Sequence, residues 1–263
     1  QTGGVDLCYS VSNDDVNNLL ENPDENLTVF SKQGNVGHYL GINNSKELLS
    51  DIRVRQALAY AIDREALIEG SFDGNATLND GILGPGDFGY SDTYAGDNYP
   101  YQYNPDKARE LLKEAGAENI TLSIVVDDTA VRRSMAEQLY NMFADVGITL
   151  NIQQYDFATA TDTLNNTTDW DLFLRGANVN TGEMLVILKN AAVYGLNRMD
   201  VLPVEGYQEW ADLLNQIEGE TDTEARAALY QELMDRFITD WFFWVPTVIP
   251  DTYMIHASNL TGF

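Results

Sequence analysis

Between residues 120 and 175 the spacing of apolar positions changes period four times. "ITLSIVV" is a short apolar run of strand type, and "TAVRRSMAEQLYNMFADVG" shifts to helical spacing and stops at Gly147. "ITLNIQQY" returns to a strand, a further helix is predicted near residues 156–166, and "WDLFL" is a third strand. Strand–helix–strand–helix–strand order requires crossover connections, which predicts a parallel sheet covered by helices and an α/β class.

The flanking segments give fewer elements. In "DIRVRQALAYAIDREALIEG", residues 51–70, Val54, Leu58, Ala61 and Ile62 share one helical face, and Asp63 is placed to cap a second short helix ended by Gly70. Residues 71–104 are rich in Gly, Asp, Tyr and Pro, and an irregular segment of that length is functional or draped over the surface. "PDKARELLKEAG" is a helix with Pro105 in its first turn and Gly116 as its stop. Upstream, "ENPDENLTVF" ends in a strand and "GHYLGIN" at 37–43 is another. Beyond residue 183 the pattern is mostly helical, with "YQEWADLLNQIEGE" and "TEARAALYQELMDRFITDW" amphipathic, and "FFWVPTVIP" is a strand interrupted by prolines. No repeat of 20–50 residues is present.

Composition narrows the partners. The 263 residues carry a net charge of −26 with only 15 Lys and Arg, which disfavours nucleic acid and anionic membrane surfaces. The longest apolar stretch, "WFFWV", is too short to span a bilayer. A lone Cys8 excludes a disulfide within the chain and is read as a small buried hydrophobe, because "QTGGVDL" before it has no export-signal pattern. The opening "GGVDLCYSV" reads like mid-protein sequence, so a chain missing an N-terminal part is expected.

Candidate chemistry points to binding. His38 and His256 have no metal-ligand spacing and are read as surface or hinge side chains; no metal or cofactor is expected. "GPGDFG" at 84–89 lacks a P-loop lysine and is read as a turn-rich loop. The acidic pairs at 14–15 and 127–128 are read as first-turn acids that favour the helix dipole. Tyr155 and Phe157 follow one predicted parallel strand, and "RGANVNTG" at 175–182 follows the next. Ligands of open α/β sheets bind beyond such strand ends, where Asn178 and Asn180 offer donors and acceptors. With no nucleophile beside a base, a binding crevice fits better than catalysis.

The order of segments resembles the family 5 solute-binding proteins of bacterial ABC transporters. The first block matches the family signature at Asp51, Arg53, Arg55, Gln56, Ala57, Ala61, Asp63 and Arg64. "YNPDKARELLKEAG" matches a second block at Pro105, Lys107, Ala108, Leu111, Leu112, Ala115 and Gly116. "YLGIN" is similar to the family's hinge strand, "WDLFLRG" to its "fD…G" strand, and "WVPTVIP" to the segment returning to the first lobe.

The resemblance implies a type II periplasmic-binding-protein-like lobe, a mixed or parallel sheet flanked by helices with hinge strands. Residues 1–35 would end an N-terminal lobe, 36–250 form the C-terminal ligand-binding lobe, and 251–263 return toward the missing lobe. It further implies a non-enzymatic, monomeric, extracytoplasmic receptor, anchored by a lipidated N-terminus absent from this chain. Such a receptor delivers a peptide-like solute to a membrane permease. The charges of residues 51–64 are then structural fasteners. The implied ligand-binding residues are Tyr39, Gly41, Tyr155, Phe157, Arg175, Gly176, Ala177, Asn178 and Asn180. Asn180 stands at the position where peptide-binding members carry an Asp for the ligand's α-amine, and Ala177 replaces a frequent Trp. An oligosaccharide or other neutral solute is therefore the alternative, with a secreted hydrolase or a surface sensor as readings from other classes.

Overall fold

The computed structural model describes residues 6–9, 11–178, 183–193 and 204–260. The elements of the first half are β1 (Leu7–Tyr9), α1 (Asn13–Glu21), β2 (Leu27–Gln33), β3 (Val36–Ile42), α2 (Glu47–Ser50), α3 (Ile52–Ala61), α4 (Arg64–Phe72), β4 (Ala76–Leu78) and α5 (Pro105–Glu114). The second half adds β5 (Thr121–Asp127), α6 (Ala130–Asp145), β6 (Thr149–Tyr155), α7 (Phe157–Asn166), β7 (Leu172–Asn178), α8 (Leu185–Val193), α9 (Tyr207–Gly219), α10 (Thr223–Arg236), β8 (Trp244–Pro246) and β9 (Val248–Ala257).

The strands form two sheets. The larger has the order β6-β5-β7-β3-β8, with β5 parallel to β6 and β7, and β3 antiparallel to β7 and β8. The parallel unit predicted for residues 120–175 is thus present, and two antiparallel strands extend it into a mixed sheet. Arg175 on β7 reaches Thr161 of α7, whereas the neighbouring Gly176 lies beside Arg132 of α6. Adjacent strand residues point to opposite faces, so α6 and α7 cover the two sides. The smaller sheet, β1-β9-β2 with β4 also paired to β9, is antiparallel throughout.

Local chemistry sets the helix ends; those at Asp63, Pro105, Gly116 and Gly147 match the sequence reading, whereas α4 runs past Gly70 to Phe72 and ends at a left-handed Asp73. Asp51 caps α3 by accepting from Arg53 N, Asp63 caps α4 by accepting from Ala66 N, and Asn104 caps α5 ahead of Pro105. Gly116 and Gly147 follow α5 and α6 with φ of +68° and +86°.

The charges of residues 51–64 are fasteners. Arg53 pairs with Asp51 at 2.6 Å and donates to the Glu114 carbonyl at 3.0 Å. Arg55 is buried and donates to four carbonyls, those of Leu49, Ser50, Trp241 and Phe242, at 2.6–3.1 Å. It thereby ties the end of α2 to the turn after α10, and burial lowers its pKa to about 10. Arg64 pairs with Asp80 at 2.8 Å and stacks 4.0 Å over the Tyr99 ring. Beneath them lies an aromatic cluster, in which Trp210 meets Phe237, Trp241, Phe243 and Trp244 at centroid distances of 5.5–6.3 Å.

The chain crosses between the sheets at two adjacent places. Gly34 and Asn35 join β2 to β3, and Thr247 joins β8 to β9. Gly34 N donates to the Pro250 carbonyl at 2.9 Å, and a Cβ on Gly34 would come within 2.3 Å of that oxygen, so only glycine fits. Thr247 N donates to His38 O, and Asn79 N donates to Thr247 O, which closes the junction.

Several expectations are corrected. Cys8 is exposed, because its short strand packs one side on β9 and leaves the other open. His38 and His256 are buried; His38 packs edge-on against Phe72, and burial with the neighbouring Arg132 lowers its pKa to about 4. "FFWVPTVIP" spans two strands in different sheets, and residues 71–104 contain strand β4.

Candidate functional site

Where the two sheets meet, a cavity of about 260 Å³ opens at the edge on which β5 and β7 end. Its floor is the larger sheet, through Gly37 and Tyr39 of β3, Ala177 of β7 and Trp244 of β8. One wall is apolar and comes from Met184, Ile187 and Leu188 at the start of α8. The crossing itself supplies Gln33, Gly34, Asn35 and Ile249, and residues 79–87 close the remaining side with Asn79, Ile82, Pro85 and Asp87.

The register explains why these residues meet. Gly37 pairs with Ala177, Tyr39 with Arg175, and Gly41 with both Phe173 and Trp244, so all share one face of the sheet. Tyr39 contacts Phe173 and Trp244 at centroid distances of 5.9 and 6.1 Å. Burial pushes the Tyr39 hydroxyl's pKa up, so it stays a neutral donor and acceptor, although Arg175 and Arg132 pull in the other direction. The residues Gly37 to Ile42 alternate between this face and one buried under α4 and α6, which is why the strand reads as continuously apolar.

Of the residues the sequence points to, Tyr39 and Ala177 line the cavity. Gly41 sits deeper on the same face, where a Cβ would lie 2.0 Å from the Phe173 ring; close packing accounts for this glycine. Gly176 points to the opposite face, against Val36 and Arg132. Asn178 ends β7 across from Val36, and Asn180 lies outside the described residues.

Tyr155, Phe157 and Arg175 gather in a second group at the same sheet edge. Tyr155 ends β6 and is partly buried against the core, while Phe157 is exposed with the Arg175 guanidinium 4.8 Å from its ring centre. Arg175 donates to Thr161 at 2.6 Å and lies 3.6 Å from Asp127. Asp127 is not a first-turn helix acid as expected. It ends β5, is buried, pairs with Arg132 at 2.5 Å and accepts from Thr129 N at 3.1 Å. Burial would raise its pKa, but the Thr129 hydrogen bonds and Arg132 outweigh that and hold it below the usual carboxylate range. One carboxylate thus holds two guanidiniums and locks the tips of β5 and β7 to α6.

The site draws on segments that sequence reasoning passed over. The loop 79–87, the turn at 33–35 and the first turn of α8 supply most of the lining. The length of the Gly/Pro-rich segment was the one signal for the loop. The described lining holds amides, apolar and aromatic groups, one acid and no Lys, Arg or His. It has no nucleophile beside a base, so its chemistry is that of binding.

Comparisons with known proteins identify the family and the fold. Residues 1–192 match the model of the middle part of the bacterial extracellular solute-binding proteins, family 5. The glutathione-binding protein GsiB of Escherichia coli (strain K12) is 27% identical over 285 residues, covering all of this chain and 51% of that protein. Among solved structures, HbpA2 from Haemophilus parasuis superposes with a TM-score of 0.86 at 22% identity, covering 99% of this chain and 51% of the other. The dipeptide-binding protein of Pseudoalteromonas sp. SM9913 in complex with Met-Leu gives 0.80 at 21%, with 99% and 51% coverage. The chain therefore spans about half the length of the relatives it matches, and its fold is the type II periplasmic-binding-protein arrangement that the sequence resemblance implied. The chain belongs to the bacterial extracellular solute-binding proteins of family 5.

Proposed function

We propose that the protein is the substrate-binding component of an ABC importer and that this cavity is part of its solute site. One observation carries the reading: a largely apolar cleft, floored by Tyr39 and Trp244, walled by the start of α8 and edged by amides, lies at the carboxyl ends of the parallel strands and astride both crossings. A peptide-like solute suits such walls, since main-chain amides would meet Gln33, Asn35 and Asn79 while side chains meet the apolar surface. Of the relatives whose names state a ligand, those with glutathione and Met-Leu support the same class, whereas two others are complexes with agropinic acid and Fe(III)-EDTA.

In this reading residues 36–250 act as the ligand-binding lobe. Residues 1–35 and 251–263 belong with a second lobe; β1, β2 and β9 sharing one sheet supports that division, while β4 of the ligand-binding lobe also pairs with the start of β9 at the junction. Closure bends the chain at Gly34–Asn35 and Thr247, and a solute that contacts both lobes favours the closed state. The protein works outside the cytoplasm as a monomer, held near its permease by a lipid anchor. Family 5 is a family of binding proteins, consistent with a non-enzymatic role. The alternative of a neutral solute or oligosaccharide draws on the three amides of the rim.

Native mass spectrometry of the full-length protein as purified, with identification of what denaturation releases, tests the proposal. Short peptides are the expected finding. A single sugar would transfer the proposal to the neutral-solute alternative, and a chemically altered product released with time would overturn the binding role.

A further inference from the structure

Asp87 is the only carboxylate in the described lining of the cleft, and no cation there balances it. It sits in the loop joining β4 to α5, within "GPGDFG". Its Oδ2 accepts the Gly84 N–H at 2.7 Å, which closes a tight turn and fixes the carboxylate against the cavity. Asp127, the one fully buried carboxylate among the described residues, has Arg132 and Arg175. Asp80, in the same loop, has Arg64. Asp87 makes no ion pair among the described residues, and burial raises its pKa, against the smaller effect of the Gly84 N–H.

The loop is braced from behind. Phe88 packs edge-on to Tyr230 with ring centres 5.8 Å apart, and Tyr230 donates to Glu183, the residue before the α8 wall. Arg226 pairs with Glu183 at 2.5 Å and lies 5.9 Å from the Phe88 ring centre. The charge near the loop is thus consumed on its far side, and the face toward the cavity keeps a partly desolvated anion opposite Tyr39 and Trp244. A carboxylate held this way is stabilised by an entering ammonium, through a charge-assisted hydrogen bond strengthened by the low dielectric of the cleft. The aromatic rings give the methylene groups beside that ammonium an apolar surface, and their faces attract it.

We propose that Asp87 is the anionic anchor of the cleft and receives a protonated amine of the solute. The assignment rests on the solute-binding reading above and sharpens it. The amine is either the α-amine of a peptide or the amine of a non-peptide solute.

Calorimetry on the full-length protein separates these cases, with three probes: trialanine, N-acetyl-trialanine and putrescine. Asp87→Asn is the chosen substitution because its side-chain oxygen can still accept the Gly84 N–H, and an unchanged melting temperature of the solute-free variant checks that the loop is intact. The expected result is that trialanine binding weakens about 10- to 100-fold in D87N and by a similar factor on N-acetylation of the wild-type ligand, with little further loss when both are combined. Binding of putrescine but not trialanine, lost in D87N, would support the anchor while overturning the peptide reading. Equal binding of trialanine and its acetylated form, unaffected by D87N, would overturn the anchor and leave the peptide reading standing. Failure of all three probes to bind the wild type would overturn both.

Discussion

Strands β2 and β3 are consecutive, seven residues each and only two residues apart, yet they live in different surroundings. In β3 the last five residues are buried, because the strand lies inside the larger sheet with helices on both faces. In β2 exposure alternates and then runs through Phe30, Ser31 and Lys32 before a half-buried Gln33, because the strand edges the smaller sheet. Side-chain alternation is the same in both; what differs is how many faces are covered. The cavity lies at the boundary between these regimes, where a rigid, doubly covered sheet meets a thin one through Gly34, Asn35 and Thr247. A stiff floor with a pliable edge is the mechanical arrangement a closing receptor needs.

If the larger sheet is the rigid partner, damage to its fasteners costs most. Arg55→Ala removes the donor for four carbonyls, so chemical denaturation of the chain should show a loss of about 4 kcal/mol. Asp127→Asn leaves Arg132 and Arg175 facing each other without a carboxylate, and the same measurement should show a loss of roughly 3 kcal/mol. A loss near zero for either would mean that the strand tips are not locked as described.

Gly41→Ala forces a methyl group against the Phe173 ring and should cost about 1–3 kcal/mol, with the near-ultraviolet circular dichroism altered by the displaced ring. Phe30→Ser, on the thin sheet, should change the stability of this 263-residue chain by no more than about 0.5 kcal/mol. A cost matching that of Gly41→Ala would show the outer face of β2 to be covered, and the contrast between the sheets would disappear.

The two regions also differed in how well the sequence revealed them. The unit from β5 to β7 was legible because its strands are long, apolar and separated by a helix with clear stops, and the cap Asp63 was legible because capping is local. β1 and β4 were not, since three residues carry no periodicity. The exposure of Cys8 follows from its strand lying at a sheet edge, a fact of topology rather than composition. Asp127 looked like a helix acid because Arg132 and Thr129 follow it at once, but its second guanidinium comes from β7 and is visible only in three dimensions. The likeness of "YLGIN" and of the segment after "WDLFLRG" to the family pointed to Tyr39 and Ala177, and both line the cavity. The family resemblance included the Gly/Pro loop with "GILGPG" but gave it no ligand role, because that loop's contribution depends on how it folds back over the junction.

The central claim is that the solute occupies the junction of the two sheets, and hydrogen exchange on the full-length protein with and without trialanine tests it most directly. Occupation of the junction slows exchange on binding in residues 33–39, 79–87 and 244–249, with little change in α5 and in residues 140–150 at the far end of the larger sheet. Protection concentrated at that far end, or in the groove between α1 and β9, would contradict it.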